Sequence, residues 1–279
     1  MAVVAVVDKL RARHEGVAAV GLAVAGFVDE SQQMVRFAPH LPWREARVAE
    51  EMTRRIGIPV FAEHDANSAA VAEYRFGAAA RGHNSLVLAI GTGIGAALLI
   101  DGHLYRGSHG VAPELGHVQV VPDGRPCACG KRGCWERYCS GTALAQTAIE
   151  LLAADPAKSA VMARELVRDP GSLTGRRVAG AAQDGDRVAI EAMADFAHWL
   201  GVGFAFVSDI YDPDLIVIAG GVSSSAPLFL DEAREQYASL VTGTGHRPLA
   251  RIRTTQLGEA AAMIGAAELA RTELVLPSP

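Results

Sequence analysis

The sequence has few cysteines, no excess of basic charge and no long apolar run, and each of these features excludes a class of protein. Four cysteines in 279 residues cannot form the dense disulfide framework of a small secreted domain. A net charge of -5 gives no electrostatic basis for binding nucleic acid or an anionic membrane. The longest apolar run, residues 86–100, carries three glycines and is too short to span a bilayer. No basic leader precedes the apolar start, so we predict a cytoplasmic protein.

What the chain does have is three cysteines within eight residues, with a histidine just upstream. The four donors are His117, Cys127, Cys129 and Cys134. This set predicts one tetrahedral Zn²⁺ site of the Cys3His type, and Gly130 and Gly133 allow the chain to turn tightly around the ion. The alternative is three buried free cysteines near a chance histidine, but buried cysteines rarely cluster so tightly. Cys139 lies outside the set, and we expect it to remain a titratable thiol.

Apolar residues alternate between helix-like and strand-like spacing, which predicts an α/β fold with some antiparallel hairpins. Helices are predicted from residue 3 to a stop at Gly16 and over residues 44–55, 66–76 and 186–209. Strands are predicted over residues 17–28, 58–62, 85–90, 96–100, 103–105 and 215–219. Asp101-Gly102 predicts a hairpin turn. A further helix is expected after Gly220-Gly221, and residues 77–84 and 168–174 are candidate linkers.

The order of the short motifs is more specific than any one of them. In chain order they are Glu63-His64-Asp65-Ala66-Asn67, Gly91-Thr92-Gly93, Asp101-Gly102, Glu114-Leu115-Gly116-His117, the cysteine run with Glu136, and Gly220-Gly221. This series resembles the ROK family of bacterial sugar kinases and sugar-responsive repressors, and within it the actinobacterial glucokinases. The resemblance implies the actin-like ATPase (ribonuclease H-like) fold, with two α/β domains around a cleft. It further implies a small first domain, 1–80, completed by the C-terminal helix 257–279, and a large domain, 81–256, with the zinc loop and the nucleotide site.

The resemblance implies ATP-dependent phosphorylation of a hexose, glucose at O6, with Asp65 as the general base. The predicted position of Asp65 at a helix N-terminus favours an ionised carboxylate, which supports this role. A plain helix N-cap at Asp65 or Asn67 is the alternative, and the motif order favours catalysis.

The resemblance also implies that Glu114, Glu136 and His64 bind the sugar, together with the zinc ligand His117. Carboxylates accept charge-assisted hydrogen bonds from hydroxyls, and one ring nitrogen of His117 could donate to the sugar while the other binds Zn²⁺. Two solvated surface acids are the alternative for the glutamates. With four protein ligands, Zn²⁺ would be structural and would have no position for an activated water.

For the nucleotide, the resemblance implies that the phosphates of ATP face Gly91, Thr92 and Gly93. It implies that the adenosine is bordered by Gly220 and Gly221, and that Mg²⁺ binds together with ATP. Turn glycines let backbone N–H groups approach anionic oxygens, although a strand turn that merely needs glycine is the alternative. A homodimer or homotetramer is expected.

The chain departs from the family pattern at several points. The family opens with a strand, a hairpin and an Asp-x-Gly-Gly-Thr-Lys phosphate loop, and we expect the first domain here to be incomplete without them. A mis-assigned start would explain this, and the alternative is a catalytically impaired sugar-binding paralogue or sensor. His64 replaces the usual asparagine, so the sequence does not determine which sugar is bound. Polyphosphate remains an alternative phosphoryl donor. Pro113 precedes Glu114 where glycine is common, and residues 257–260 replace an Asn-Asp-type pair.

Overall fold

The computed structural model describes residues 2–38, 41–169 and 171–275, which form both helices and strands. The helices are α1 Ala2–Arg11, α2 Val48–Ile56, α3 Asp65–Phe76, α4 Gly141–Ala154, α5 Ala160–Arg168, α6 Gly175–Gln183, α7 Arg187–Tyr211, α8 Leu230–Leu240 and α9 Ala261–Val275. The strands are β1 Val20–Val24, β2 Phe27–Val28, β3 Val35–Phe37, β4 Arg44–Ala46, β5 Val60–His64, β6 Ser85–Ile90, β7 Ile94–Ile100, β8 His103–Tyr105, β9 Leu215–Ala219 and β10 Arg251–Thr254. Short 3-10 helices include Leu115–His117, Trp135–Arg137 and Gly221–Leu228.

The described strands form three sheets. The largest has the order β10-β9-β6-β7-β8, in which β9 and β10 are parallel and β7 and β8 form an antiparallel hairpin. Strands β1 and β5 pair in parallel, and β2-β3-β4 is a small antiparallel sheet. All five residues of β9 are buried, as expected for a strand covered on both faces.

Contacts divide the chain into two compact units. The first takes in the described residues of Met1–Val87, Ala97–Pro113 and Gln256–Pro279, and the second those of Leu88–Ala96 and Glu114–Thr255. The domain boundaries that we predicted at residues 80 and 256 stay a prediction. The last residues of the predicted C-terminal helix, 276–279, lie outside the described part of the chain.

In the first unit, α9 packs closely on α3 and β1. A Cβ added at Gly265 would lie 1.6 Å from the carbonyl oxygen of Ser68, so only glycine lets the two helices approach this closely. The buried carboxylate of Glu73 on α3 accepts hydrogen bonds from the backbone N–H groups of Ala78, Gln256 and Leu257. These bonds tie the entry to the C-terminal helix to α3.

In the second unit, the 25-residue helix α7 is the central packing element. Its first turn is capped by Asp186, whose carboxylate accepts from the N–H groups of Val188 and Ala189. Its buried face includes Phe196 and Phe204 and packs against α4, α6 and α8. Among the described helices it alone is long and apolar enough to cross a membrane, but more than half of that stretch is buried inside the protein, as in a core helix.

Most predicted elements are confirmed, with exceptions in the first unit. The strands predicted over 85–90, 103–105 and 215–219 have those bounds, and the helix predicted over 186–209 corresponds to α7, Arg187–Tyr211. The helix predicted over 44–55 is wrong in its first three residues, which form β4. There the backbone pairs with β3, and the Arg44 guanidinium lies 4.2 Å from the centre of the Phe37 ring, so tertiary pairing overrides the helical pattern.

Three further predictions need correction. The strand predicted over 17–28 is broken into β1 and β2. Between them the chain passes so close to Phe37 that a Cβ at Gly26 would lie 2.6 Å from the Phe37 carbonyl oxygen. Helix α1 ends at Arg11, well before Gly16. Ala78 and Ala79 in the candidate linker 77–84 are buried, so it is a packed turn. The other candidate linker contains residue 170, which lies outside the described residues.

Candidate active site

The cysteine and histidine side chains predicted as zinc ligands converge in the second unit. The ligand atoms of His117, Cys127, Cys129 and Cys134 all lie within 4.8 Å of one another. The Sγ atoms of Cys129 and Cys134 are 3.6 Å apart, and Cys127 Sγ is 3.6 Å from His117 Nδ1. Zn–S bonds of ~2.3 Å and Zn–N bonds of ~2.0 Å in a tetrahedron place such atoms roughly 3.5–3.8 Å apart. These two separations match a tetrahedral Zn²⁺ site, and the four side chains are close enough together to hold one ion.

The pKa values of the three thiols depart from the ordinary value in different directions. Burial raises the pKa of the Cys127 and Cys134 thiols, which disfavours their thiolates without a nearby positive charge. Burial also acts to raise the pKa of Cys129, but hydrogen bonds from the Lys131 backbone and the other two thiols outweigh it and lower that pKa. Bound Zn²⁺ would stabilise all three thiolates.

A short hairpin builds the cluster. The N–H of Cys127 donates to the Lys131 carbonyl at 2.9 Å, and the N–H of Gly133 donates to the Arg125 carbonyl at 2.8 Å. Gly133 has a φ of 72°, and a Cβ there would lie 1.6 Å from the carbonyl oxygen of Val121, so glycine is required at this turn. The next residue but one, Trp135, is fully buried and donates to the Trp199 carbonyl at 2.8 Å, which anchors the hairpin to α7.

The two glutamates predicted to bind a sugar lie beside the cluster. Glu136 Oε1 is 3.2 Å from Cys127 Sγ and 3.7 Å from His117 Nδ1. On the other side of the imidazole, His117 Nε2 is 3.8 Å from Glu114 Oε2. The side chains of Glu114, His117 and Glu136 are 36%, 29% and 18% exposed, so they are neither core residues nor freely solvated acids. The sequence prediction that these three residues lie together is consistent with the structure.

The turn Gly91-Thr92-Gly93 joins this acid cluster to a cavity. The turn follows β6 and is closed by the N–H of Gly91, which donates to the Gly93 carbonyl at 3.0 Å. A Cβ at Gly93 would lie 2.6 Å from Glu136 Oε2, so this glycine packs directly against the acid. Gly91 and Thr92 instead line a cavity of about 520 Å³. One three-residue turn therefore faces both features.

The cavity is mostly apolar and lies wholly within the second unit. Its walls include Leu173, Ala179, Met193, Phe196 and Phe229, and its polar lining comes from Thr142, Thr174, Arg176, Ser224 and Ser225. The N-terminal ends of α4 and α6 open onto it, and such ends favour negative charge. An apolar pocket with a few polar groups and two helix N-termini suits a planar base that carries phosphates.

The two predicted glycines after β9 have different surroundings. Gly221 lines the cavity, as expected for a residue that borders a nucleotide. Gly220 does not: it has a φ of 80°, and a Cβ there would lie 2.5 Å from the Ile90 carbonyl oxygen. Its glycine character is explained by close packing of the backbone against β6. Likewise, Gly93 packs on Glu136 and does not line the cavity.

In the first unit, Asp65 is the first residue of α3 and His64 the last of β5. The Asp65 side chain is 47% exposed, its Oδ1 accepts a hydrogen bond from the Ala66 N–H at 2.8 Å, and His64 Nε2 lies 3.4 Å from the same oxygen. The carboxylate thus lies at the positive end of a 12-residue helix, as the sequence predicted, and this geometry suits both a base and a cap.

Sequence reasoning missed several residues of these sites. It gave no role to Glu63, a buried carboxylate that binds four neighbouring groups, or to Arg176 and Thr142, which reach the cavity from two different helices. The expectation that Cys139 remains a titratable thiol is wrong. The side chain is fully buried, and burial raises the pKa of its thiol well above the usual value.

The fold and the site define a protein of the actin-like ATPase fold class. The chain belongs to the ROK family, whose sequence profile matches residues 1–273. It is 38% identical to the glucokinase of Streptomyces coelicolor over 97% of this chain and 85% of that one. The crystal structure of a ROK family glucokinase from Streptomyces griseus in complex with glucose and AMPPNP is 39% identical, with a TM-score of 0.85, and the match covers 97% of this chain and 88% of that one. The xylose repressor of Bacillus subtilis is 30% identical over 81% of this chain and 54% of its own length.

Proposed function

We propose that this protein phosphorylates a hexose, glucose at O6, with ATP as donor. The observation that carries the proposal is the turn Gly91–Gly93, which touches the acid Glu136 on one side and lines the apolar cavity on the other. If the adenine base binds in the cavity, the phosphate chain that extends from the nucleoside would reach this turn, beside the acids proposed to bind the sugar hydroxyls. The likeness to the Streptomyces glucokinases supports the same substrates.

The acid cluster would bind the sugar. Glu114 and Glu136 offer carboxylate oxygens as acceptors for hydroxyl groups, which compensates for the loss of hydration when the sugar binds. His117 Nδ1 points to the thiols and its Nε2 lies on the side of Glu114, so the imidazole can bind a metal through Nδ1 and present an Nε2–H donor. Zn²⁺ would fix this tautomer and the shape of the hairpin.

Asp65 would act as the general base. Its carboxylate takes the proton of the sugar hydroxyl as that oxygen forms a bond to the γ-phosphorus, while the bond to the β,γ-bridging oxygen breaks and ADP leaves. Phosphoryl transfer requires in-line positioning and charge neutralisation, which Mg²⁺ supplies when it arrives with ATP. The backbone N–H group of Thr92 and the N-terminal ends of α4 and α6 would add to the neutralisation.

A sugar-binding regulator without turnover is the second candidate. It is favoured by the 30% identity to the xylose repressor of Bacillus subtilis, although this chain spans only 54% of that protein. Such a sensor would keep the acid cluster and would need no base at Asp65. The expected homo-oligomer and the cytoplasmic location stay predictions, and sedimentation and fractionation can test them.

Substitution of Asp65 separates these candidates. Asp65→Asn keeps the size and helix-capping capacity of the side chain but cannot take a proton, so turnover should fall by ~10²–10⁴. Glucose affinity, measured by calorimetry, should change far less. Near-normal turnover of the Asp65→Asn variant would leave Asp65 as a cap and overturn its assignment as base.

A further inference from the structure

The turn that carries Asp65 is built around a partly buried ion pair within the first unit, in which the Arg106 side chain is 27% exposed. Glu63, the last residue but one of β5, has a side chain only 6% exposed, and its Oε2 accepts from Arg106 Nε at 2.8 Å and from the terminal Nη2 of Arg106 at 2.7 Å. Gln32 Nε2 lies 3.5 Å from the same oxygen. Arg106 follows β8, 43 residues along the chain, so tertiary structure alone brings the two charges together.

The other oxygen of Glu63 binds the backbone before Asp65 and a side chain after it. Glu63 Oε1 accepts from the His64 N–H at 2.9 Å and from Asn67 Nδ2 at 2.9 Å. His64 immediately precedes Asp65, and Asn67 is a buried residue of the first turn of α3. The His64 side chain does not cap helix α3. The Glu63 carboxylate therefore helps to fix the start of this helix.

We propose that Glu63 is a positioning residue for the phosphoryl-transfer reaction, with Arg106 as its charge partner. Arg106 neutralises the carboxylate and fixes Oε2, and Oε1 then sets the orientation of the segment from His64 to Asn67 that aims the Asp65 carboxylate. This inference rests on the proposed role of Asp65 as base. A misplacement of ~1 Å in a catalytic group can cost about a hundredfold in rate, so a rigid support is expected at this point.

Two double variants isolate the Oε1 contacts from the ion pair. Single substitutions would leave one charge buried without a partner and could unfold the chain. In Glu63→Gln/Arg106→Met, no charge is buried, and the glutamine carbonyl can still accept from the His64 N–H and Asn67. Glu63→Met/Arg106→Met is also neutral and of similar volume but has no acceptor. The matched pair thus differs in the hydrogen bonds alone.

Steady-state kinetics with glucose and ATP should distinguish the pair. We expect the glutamine variant to restore most of the wild-type kcat, and the methionine variant to lose about a hundredfold in kcat with little change in the KM for ATP. Equal kcat in the two variants at equal melting temperature would overturn the proposal. If the methionine variant does not fold, Asn67→Ala removes one Oε1 contact and leaves the ion pair, and it should lower kcat in the same sense. An unchanged kcat there would overturn the proposal too.

Repeating the kinetics of the two double variants with Asp65→Asn added to each shows whether Glu63 acts through Asp65. If it does, the difference between the two double variants should disappear in that background, because the group being positioned no longer takes a proton. A difference that persists would show that Glu63 acts elsewhere, and would refute the positioning role while leaving Asp65 as base. Near-normal turnover of Asp65→Asn alone would instead refute the base assignment and the inference that rests on it.

Discussion

Replacement of Gly93 by alanine should weaken sugar binding without weakening the fold. The added Cβ would lie 2.6 Å from Glu136 Oε2, whereas ordinary contact begins at 3.4 Å, so this oxygen must move by about 0.8 Å. The obstacle is the far end of a flexible side chain, and the new methyl would meet no backbone atom outside the turn within 4 Å. We therefore expect the Glu136 carboxylate to rotate away and the backbone of the turn to stay in place.

The size of the effect follows from the role of Glu136. A hydrogen bond to a charged group contributes ~1.5–3 kcal/mol, so losing one to a sugar hydroxyl should raise the KM for glucose roughly ten- to a hundredfold. The melting temperature should stay close to the wild-type value, because the change displaces only one partly exposed carboxylate. Calorimetry with glucose and a thermal melt measure the two quantities independently.

Gly91→Ala is the matched control on the same turn. A Cβ at Gly91 meets no atom within 4 Å, and this residue lines the cavity and does not touch Glu136. It should therefore affect the KM for ATP more than the KM for glucose. If Gly93→Ala binds glucose as tightly as the wild type, or if Gly91→Ala weakens glucose binding equally, the assignment of Glu136 to the sugar is refuted.

Three further predictions concern the second unit. Protein purified without added zinc should contain about one equivalent of Zn²⁺, and Cys134→Ser should lose metal and melt at a lower temperature; a metal-free, fully folded wild type would contradict this. Cys139 should react with thiol reagents only after unfolding, because its thiol is buried and its pKa raised, so fast labelling of the native protein would be the contrary result. Ala179→Phe should fill part of the cavity and abolish binding of an ATP analogue while glucose binding survives; unchanged nucleotide affinity would show that the base binds elsewhere.

The zinc ligands could be found from the sequence because their geometry is local. Four donors within 18 residues, with glycines at the turns, leave few ways to fold other than around one centre. The helix start at Asp65 and the turn after β6 were likewise predictable, since each is set by the residues on either side. The motif order added the acids Glu114 and Glu136, which composition alone would have placed on a solvated surface.

What the sequence could not show depends on pairing between distant segments. Arg106 and Glu63 are 43 residues apart in the sequence, and neither their spacing nor their residue types predict that they form an ion pair. The cavity takes its walls from several helices, so Arg176 had no local signal. Strand β4 was assigned to a helix because its pairing with β3 is tertiary. Burial decided the state of Cys139, and a lone cysteine does not reveal its own burial from its neighbours in sequence.

The most direct test of the proposed function is phosphoryl transfer by the purified chain itself. With glucose, Mg²⁺ and ATP labelled at the γ-phosphate, the label should appear in glucose 6-phosphate, with ADP formed in equal amount. Asp65→Asn should bind glucose and form little product. Tight glucose binding by the wild type without any transfer of label would contradict the kinase assignment and favour the sugar-sensing alternative.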